Sequence, residues 1–327
     1  MTLDLHVDGA QWRAHLAKVA HERSHLVPVI KGNGYGFTNA LLAQEAERMK
    51  VPAVAVGAIA EISTVAQHFS GKIILLTPTE GAATPPGTVL TISSLSTLKG
   101  LSPDQEFILE LETPMHRHGI ALNELVDATP FLDSARFLGF SLHLPIAPME
   151  KMWLHTVLSM LPSDAQIWIS HAHNIARTAK NFPGMTFHER VGTDLWLGNT
   201  KSLRMSATVL DKHEVSGVAG YRLRKLNGTL LVASGGTAHG VGLSAPSSDF
   251  SLLGRIKVVA RAYFEFFGIL RSPYSWHGKG LRFLEPPHMQ SSLLLFNGKS
   301  APKIGDELSL NLRNTTTHFD RIIGLDS

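Results

Sequence analysis

The chain contains no cysteine. That excludes disulfide staples, thiolate metal sites and cysteine nucleophiles, and it fits a reducing compartment. The opening, Met1-Thr2-Leu3-Asp4-Leu5-His6-Val7-Asp8, has neither a basic head nor an apolar stretch behind it, so no signal peptide is expected and the expected location is the cytoplasm. No uncharged apolar run approaches the roughly 20 residues that a membrane helix needs. Charge is scarce and nearly balanced, with 30 Lys and Arg against 27 Asp and Glu for a net +3. The basic residues are scattered and no aromatic-basic stripe accompanies them, so nucleic acid is not an expected partner, and without a spanning run neither is a membrane. What the chain has in plenty is apolar residues, 44% of 327, enough for a large core shared between two domains. Histidine is also abundant, at 17, which weakens the case for any single one as a site residue. There is no internal repeat and no low-complexity segment.

The most informative stretch is Leu26-Val27-Pro28-Val29-Ile30-Lys31-Gly32-Asn33-Gly34-Tyr35-Gly36. The apolar run reads as a strand buried on both faces, as in a parallel sheet. The glycines read as a loop at its C-terminal end, where α/β sheets and barrels place their ligands. Lys31 then sits at the mouth of a core. Partial burial disfavours the ammonium and lowers its pKa, which makes it a candidate Schiff-base nucleophile. The plainer reading is a lysine snorkelling out of a strand end.

Strands alternate with helical or loop segments from there on. Ala10 to Glu22 and Asn39 to Lys50 have helical spacing, and Thr38 or Asn39 suits the N-cap of the second. Further strands are expected at Ala53 to Val56, Lys72 to Leu76, Val89 to Ile92, Phe107 to Leu111, Phe137 to His143, Ile167 to Ser170 and Asp194 to Leu197, with helical segments such as Glu61 to Phe69 and Met149 to Leu161 between them. With the lysine strand this gives eight βα repeats, the pattern of a (β/α)8 TIM barrel. Beyond about Ala207 the texture changes to short alternating runs, at Ser206 to Leu210, Thr229 to Ala233, Ser291 to Phe296 and Glu307 to Leu312. The expected fold class is therefore α/β, a barrel over 9–204 followed by a mostly β domain over 205–327, with residues 1–8 pairing with that second domain. One long helix, Ser251 to Leu270, interrupts it.

Val29-Ile30-Lys31-Gly32-Asn33-Gly34-Tyr35-Gly36 resembles the cofactor-lysine motif of the alanine racemase family, the fold-type III pyridoxal-phosphate enzymes. The resemblance implies that Lys31 carries pyridoxal 5'-phosphate and that Tyr35 contacts its phosphate. Phe107 to Ile120, with Glu112-Thr113-Pro114-Met115-His116-Arg117-His118-Gly119 at its end, resembles the family's strand ending in D-T-G-M-x-R-x-G, which gives Arg117 the cofactor's phenolic oxygen and a share in orienting substrate. A planar guanidinium suits such oxyanions. Gly139-Phe140-Ser141-Leu142-His143 resembles the strand whose histidine lies beside the pyridine ring. Arg190-Val191-Gly192-Thr193 resembles R-x-G-[IT], whose arginine meets the pyridine nitrogen and whose glycine backbone meets the phosphate. Asn174 falls in the polar site before it, with Ile175 in place of the neighbouring serine. Glu110 stands where many relatives have a lysine made anionic by carbamylation, and it is expected to hold Arg117 in place.

The C-terminal half departs from the pattern. The family's second base is a tyrosine, and in Val215-Ser216-Gly217-Val218-Ala219-Gly220-Tyr221 its place is taken by Gly217. The resemblance leaves His239, in a glycine-rich turn, as the nearest titratable substitute, with the pKa range for the task. Met289 falls at the substrate contact. The implied activity is amino-acid racemisation by a homodimer, with alanine as substrate and D-alanine for peptidoglycan as product. The alternative is a cofactor-binding relative without a second base, acting on another amino acid or on none. A competing reading is metal chemistry at His171-Ala172-His173 with His143 and Asp194, both rings of the pair sharing one strand face. It lacks a full ligand set, and no metal is expected.

Overall fold

The computed structural model describes residues 2–23, 25–77, 83–147, 151–243, 251–266 and 270–325. It divides into two compact units, Ala14–Gly198 and Met1–Arg13 with Asn199–Ser327.

The opening strand β1 (Leu3–Val7) belongs to the second unit, and helix α1 (Gly9–Glu22) follows it. The first unit is a closed barrel of eight parallel strands: β2 (Leu26–Ile30), β3 (Ala53–Val56), β4 (Lys72–Leu75), β5 (Thr88–Ile92), β6 (Phe107–Glu110), β7 (Phe137–His143), β8 (Gln166–Ser170) and β9 (Thr186–Val191). Helices α2 (Asn39–Arg48), α3 (Ile59–Ala66), α4 (Leu95–Lys99), α5 (Leu125–Leu132), α6 (Lys151–Ser159), α7 (Ile175–Asn181) and α8 (Thr193–Leu197) follow the strands, except that no helix stands between β4 and β5 among the described residues. Thr38 caps α2, its Oγ1 accepting from the Leu41 N–H at 3.4 Å.

Strand parity explains what lines the barrel. Side chains along a strand alternate between faces. Val27, Val29, Ala53, Ala55, Ile74, Val89, Ile108 and Trp168 form the inner cluster. Phe107, Leu109, Phe140, Leu142, Ile167, Ile169 and Phe187 pack in the outer cluster with the helices. Continuing each inner series toward the C-terminal mouth brings in Lys31 after Val29, Glu110 after Ile108 and Ser170 after Trp168. On β9 the inward residues are His188, stacked on Trp168 at 4.1 Å, and then Arg190. On β7 the inner series breaks. Leu138 packs against the inner cluster, yet Phe140 and Leu142 face outward. The register slips at this point, Phe107 opposing Phe137 while Leu109 opposes Phe140. Gly139, at φ +118°, absorbs the extra residue, a backbone angle that favours glycine. The slip turns Ser141 and His143 inward.

The eighth strand is a correction. It is Thr186–Val191, whereas Asp194 to Leu197 lies in α8, with Leu195 and Trp196 buried. A four-residue run with three apolar positions has no period long enough to separate a buried strand from a buried turn of helix. The start of the segment expected from Met149 lies outside the described residues, and α6 runs Lys151–Ser159.

The second unit is a sheet ordered β11-β14-β13-β12-β15-β10-β1-β16, with β10 (Leu203–Ala219), β11 (Arg224–Ser234), β12 (Leu270–Trp276), β13 (Lys279–Phe283), β14 (Ser291–Phe296), β15 (Glu307–Leu310) and β16 (Arg321–Ile323). β1 pairs antiparallel with β10 and parallel with β16. Ser292, Leu294 and Phe296 alternate buried along β14, as a sheet covered on one face requires. Helix α9 (Leu252–Phe266) is shorter than the stretch expected from Ser251, and Leu270 already begins β12.

Candidate functional site

Lys31 leaves the end of β2 on the inner face, at the mouth of the barrel. Solvent reaches its side chain, yet the surrounding protein crowds it. Desolvation, followed by the charge of Arg117, lowers its pKa; Glu61 works in the opposite direction and Arg190 adds to the lowering. Among the described residues its ammonium makes no hydrogen bond or ion pair. A lysine held this way has an increased share of free amine, the form that attacks a carbonyl.

Glu61 escaped the sequence reading. Its Oε1 accepts from the Gly32 N–H at 2.5 Å, and its Oε2 from Gly57 at 2.7 Å and Ala58 at 3.0 Å. One carboxylate thus ties the loop after β2 to the loop after β3. The signal was present as Gly57-Ala58-Ile59-Ala60-Glu61, with an acidic residue at the third position of a helix, where it reaches back to free N–H groups. Nothing in one sequence says that it would also reach Gly32.

Tyr35 lies in a single helical turn, Gly34–Gly36, at φ +55°, an uncommon angle for an aromatic residue. It is 7% exposed, and burial together with Glu61 pushes its pKa up to about 12. Its hydroxyl lies against Gly192, where an added Cβ would fall on the Tyr35 oxygen. The R-x-G spacing therefore has a steric reason: Gly192 leaves the space that Tyr35 uses. Thr193 opens α8 directly after it.

Arg190 is buried, and its Nη2 donates to the Leu142 carbonyl at 3.1 Å, while its Nε has no partner among the described residues. Buried donors are nearly always satisfied, so an orphaned guanidinium nitrogen facing a barrel mouth points to an acceptor that the described residues do not supply. Glu110 is buried beside it. Desolvation raises the Glu110 pKa, opposed first by Arg190 and then by His118 and Arg117. The expected Glu110–Arg117 pair is not formed: no ion pair within 4.0 Å joins them, and Arg190 is the stronger electrostatic partner. Arg117 is exposed in the loop between β6 and Ile120. That loop is closed by Ile120 N–H to the Glu110 carbonyl at 2.9 Å and Glu112 N–H to the Ile120 carbonyl at 2.8 Å. Buried Thr113 fastens it to β7 by donating to the His143 carbonyl at 2.8 Å.

His143 faces the same mouth. Desolvation, then the cations Arg190, His171, Arg117 and Lys31, push its pKa down to about 3, so the ring is neutral at ordinary pH. Its ring meets His171 edge-on at 5.3 Å. Asn174 stands at the N-cap position of α7 in the left-handed region at φ +59°, without a side-chain capping bond, and is exposed. The metal reading fails on geometry. β8 ends at Ser170, so strand alternation does not govern His171 and His173, and His143, His171 and His173 do not form a ligand cluster among the described residues. The trio whose ligand atoms do converge is Asp4, His6 and Glu307, and Arg321 and Arg204 already neutralise its carboxylates.

His239 and Met289 lie together in the second unit. The turn Thr237–His239 is bonded to the chain at His288 and Met289, with Thr237 N–H to the His288 carbonyl at 2.8 Å and Ala238 N–H to the Met289 carbonyl at 3.0 Å. The His239 Nδ1 accepts from the Gly236 N–H at 3.2 Å, which leaves its proton on Nε2, 3.3 Å from Asp320 Oδ1. Both nitrogens are therefore engaged. Tyr221 stacks on His288 at 4.5 Å, and His288 Nε2 meets buried Glu285 at 2.8 Å. Gly217 lies in β10, and an added Cβ there would meet nothing within 4 Å.

The family model for the N-terminal domain of alanine racemase matches residues 7–181. Among curated proteins the chain is similar to the alanine racemase of Campylobacter jejuni subsp. doylei, 29% identical over 138 residues, 42% of each chain. It is also similar to that of Campylobacter concisus, 26% identical over 125 residues, 37% of each. These matches span less than half the length of those relatives. Among solved structures it is similar to alanine racemase from Bartonella henselae with covalently bound pyridoxal phosphate, at TM-score 0.71 and 18% identity, over 96% of this chain and 91% of that one. The biosynthetic alanine racemase of Pseudomonas aeruginosa gives TM-score 0.64 at 18% identity, with the same coverage. At such identities the likeness is one of fold.

Proposed function

Since the chain belongs to the alanine racemase family, we propose that it holds pyridoxal phosphate on Lys31 and racemises an amino acid, with alanine the first substrate to test. The observation that carries this is Lys31 itself: a lysine with a lowered pKa at a barrel mouth that also holds a buried guanidinium with an unpartnered Nε. The residues fit the cofactor. Tyr35, Gly192, Thr193 and Asn174 would hold its phosphate, Arg190 its ring nitrogen and Arg117 its phenolic oxygen, with neutral His143 beside the ring. When bound, the cofactor withdraws electrons from the substrate's Cα and makes its proton removable. Arg190 cannot give up its proton, so a ring nitrogen facing it stays unprotonated and electron withdrawal is restrained. Lys31, once free, takes or returns a proton on the face it occupies. Arg117 also orients the substrate, and Met289 contacts it.

Inversion needs a second proton acceptor on the opposite face. His239 is the candidate by position in the chain, but it must first give up one of its two hydrogen bonds. His288 has its Nε2 on Glu285, and its Nδ1 makes no hydrogen bond among the described residues. The engaged nitrogens of His239 and the glycine at 217 favour a second reading, a cofactor-binding relative that exchanges the α-proton without inverting. The reading as a racemase carries with it a homodimer in the cytoplasm that supplies D-alanine for peptidoglycan.

Two measurements test this. Borohydride should trap the cofactor on Lys31, and Lys31→Ala should abolish trapping; a protein that stays colourless with added pyridoxal phosphate ends the proposal. Deuterium washout and inversion are then compared for both alanine enantiomers, in the parent and in His239→Ala, His288→Ala and Tyr221→Phe. Inversion lost with washout retained identifies the second base. Washout without inversion in the parent selects the second reading.

A further inference from the structure

None of the site residues described above lies on helix α9, and its composition differs from the rest of the chain. The helix carries Arg255, Lys257 and Arg261 against Glu265 alone, +2 of the chain's net +3. Leu252, Ile256, Val259, Tyr263 and Phe266 recur every three or four residues and so share one side of the helix. Leu253 widens that stripe. All six are 54–84% exposed, where a core-facing stripe would be covered. Arg255 and Lys257 are exposed too, and at about 100° per residue they fall on opposite borders of the stripe.

An apolar stripe bordered by cations fits an anionic bilayer surface. The stripe enters the headgroup boundary, and the long basic side chains extend to the phosphates. Fifteen residues span about 22 Å, short of the roughly 30 Å hydrocarbon core, so the helix would lie along the surface and not cross it. A second copy of the helix suits the stripe less well. Pairing two such stripes brings Arg255 and Lys257 of one copy to the borders of the other, where like charges face each other. We propose that α9 docks the protein reversibly on membranes rich in anionic lipid. This revises the expectation of no membrane partner, which rested on the absence of a spanning segment and not on a surface helix.

The test uses the full chain and sedimentation with vesicles of phosphatidylcholine alone or with roughly one-third phosphatidylglycerol. The protein should partition onto the anionic vesicles and hardly at all onto the neutral ones. Ile256→Glu with Val259→Glu should weaken partition by at least about tenfold. Arg255→Ser and Lys257→Ser should each weaken it about fivefold, as should a rise in salt in proportion to charge. These positions are exposed, so the variants should melt with the parent and keep its cofactor content, which a folding defect would change. Equal binding to both vesicle types, or none to either, overturns the proposal. So does a smaller sedimenting species for Ile256→Glu/Val259→Glu without lipid, which would show that a second copy covers the stripe.

Discussion

The Glu61 carboxylate lies 2.5 Å from the Gly32 amide nitrogen, so the peptide that follows Lys31 is fixed by a residue on a different βα unit. The same carboxylate holds Gly57 and Ala58, and its negative charge raises the Lys31 pKa against the lowering by burial and Arg117. Glu61→Gln keeps an acceptor and removes the charge. Lys31 should then titrate at lower pH, and in cofactor-free protein it should acylate faster near neutrality. A merely loosened loop would admit water and move Lys31 the other way, toward its ordinary value. The pH profile of Lys31 acylation, read by mass spectrometry, gives the sign. Glu61→Ala also loses three charge-assisted bonds and should cost roughly 2 kcal/mol or more in urea unfolding.

Gly192 and Tyr35 form a steric pair. Gly192→Ala places its methyl on the Tyr35 hydroxyl, so either the buried ring or the α8 terminus must move. The variant should lose about 1–3 kcal/mol of stability, the usual cost of overpacking. Tyr35→Phe removes the atom that is struck. If the double variant is no more stable than Gly192→Ala alone, the clash does not explain the glycine.

Much of the barrel can be read from the sequence because parallel strands buried on both faces leave continuous apolar runs. Leu26–Ile30 and Ala53–Val56 stand out for this reason. Asp194 to Leu197 imitates such a run and is helical, since four residues carry no decisive period. The inward turn of His143 depends on the slip at Gly139, and a bulge leaves only an unremarkable glycine in the sequence. Glu110 was matched with the wrong arginine. The family resemblance suggested Arg117, while strand parity sends Glu110 inward to Arg190. Strands β12 and β13 passed unnoticed because Ser272-Pro273 and the charged Lys279-Gly280-Leu281-Arg282 interrupt any alternation.

Two neutral histidines predict acid sensitivity of the fold. His188, stacked on Trp168, is pushed down to about 4, and His143 to about 3, each chiefly by desolvation. Unfolded chains take up these protons below about 6.5, whereas the folded protein does not until far lower pH. Stability contributed by the neutral rings is therefore present above about 6.5 and is lost as pH falls toward 4. His188→Phe keeps a ring on Trp168 and removes one titration. Its urea midpoint should fall less between pH 7 and pH 5 than the parent's, and an equal fall would show that His188 titrates normally.

The last expectation concerns the charge balance beneath the site. Arg190 is buried with one hydrogen bond to the Leu142 carbonyl, an unpaired Nε, and Glu110 as its opposing charge. A buried ion whose partner is removed is left uncompensated, and such losses run to about 3–5 kcal/mol. Glu110→Ala should therefore destabilise strongly. Adding Arg190→Met removes the stranded charge and fills the space with a flexible apolar chain. The double variant should be more stable than Glu110→Ala alone, with a coupling energy of at least about 1 kcal/mol in the cycle. The cycle also separates two roles. If Glu110 serves mainly to place Arg117 for ligands, Glu110→Ala should weaken pyridoxal-phosphate binding while leaving the urea midpoint of the cofactor-free protein unchanged. If it balances Arg190, the midpoint falls first, and it falls without any cofactor present. Near-zero coupling together with an unchanged midpoint would show that the two buried charges do not depend on each other.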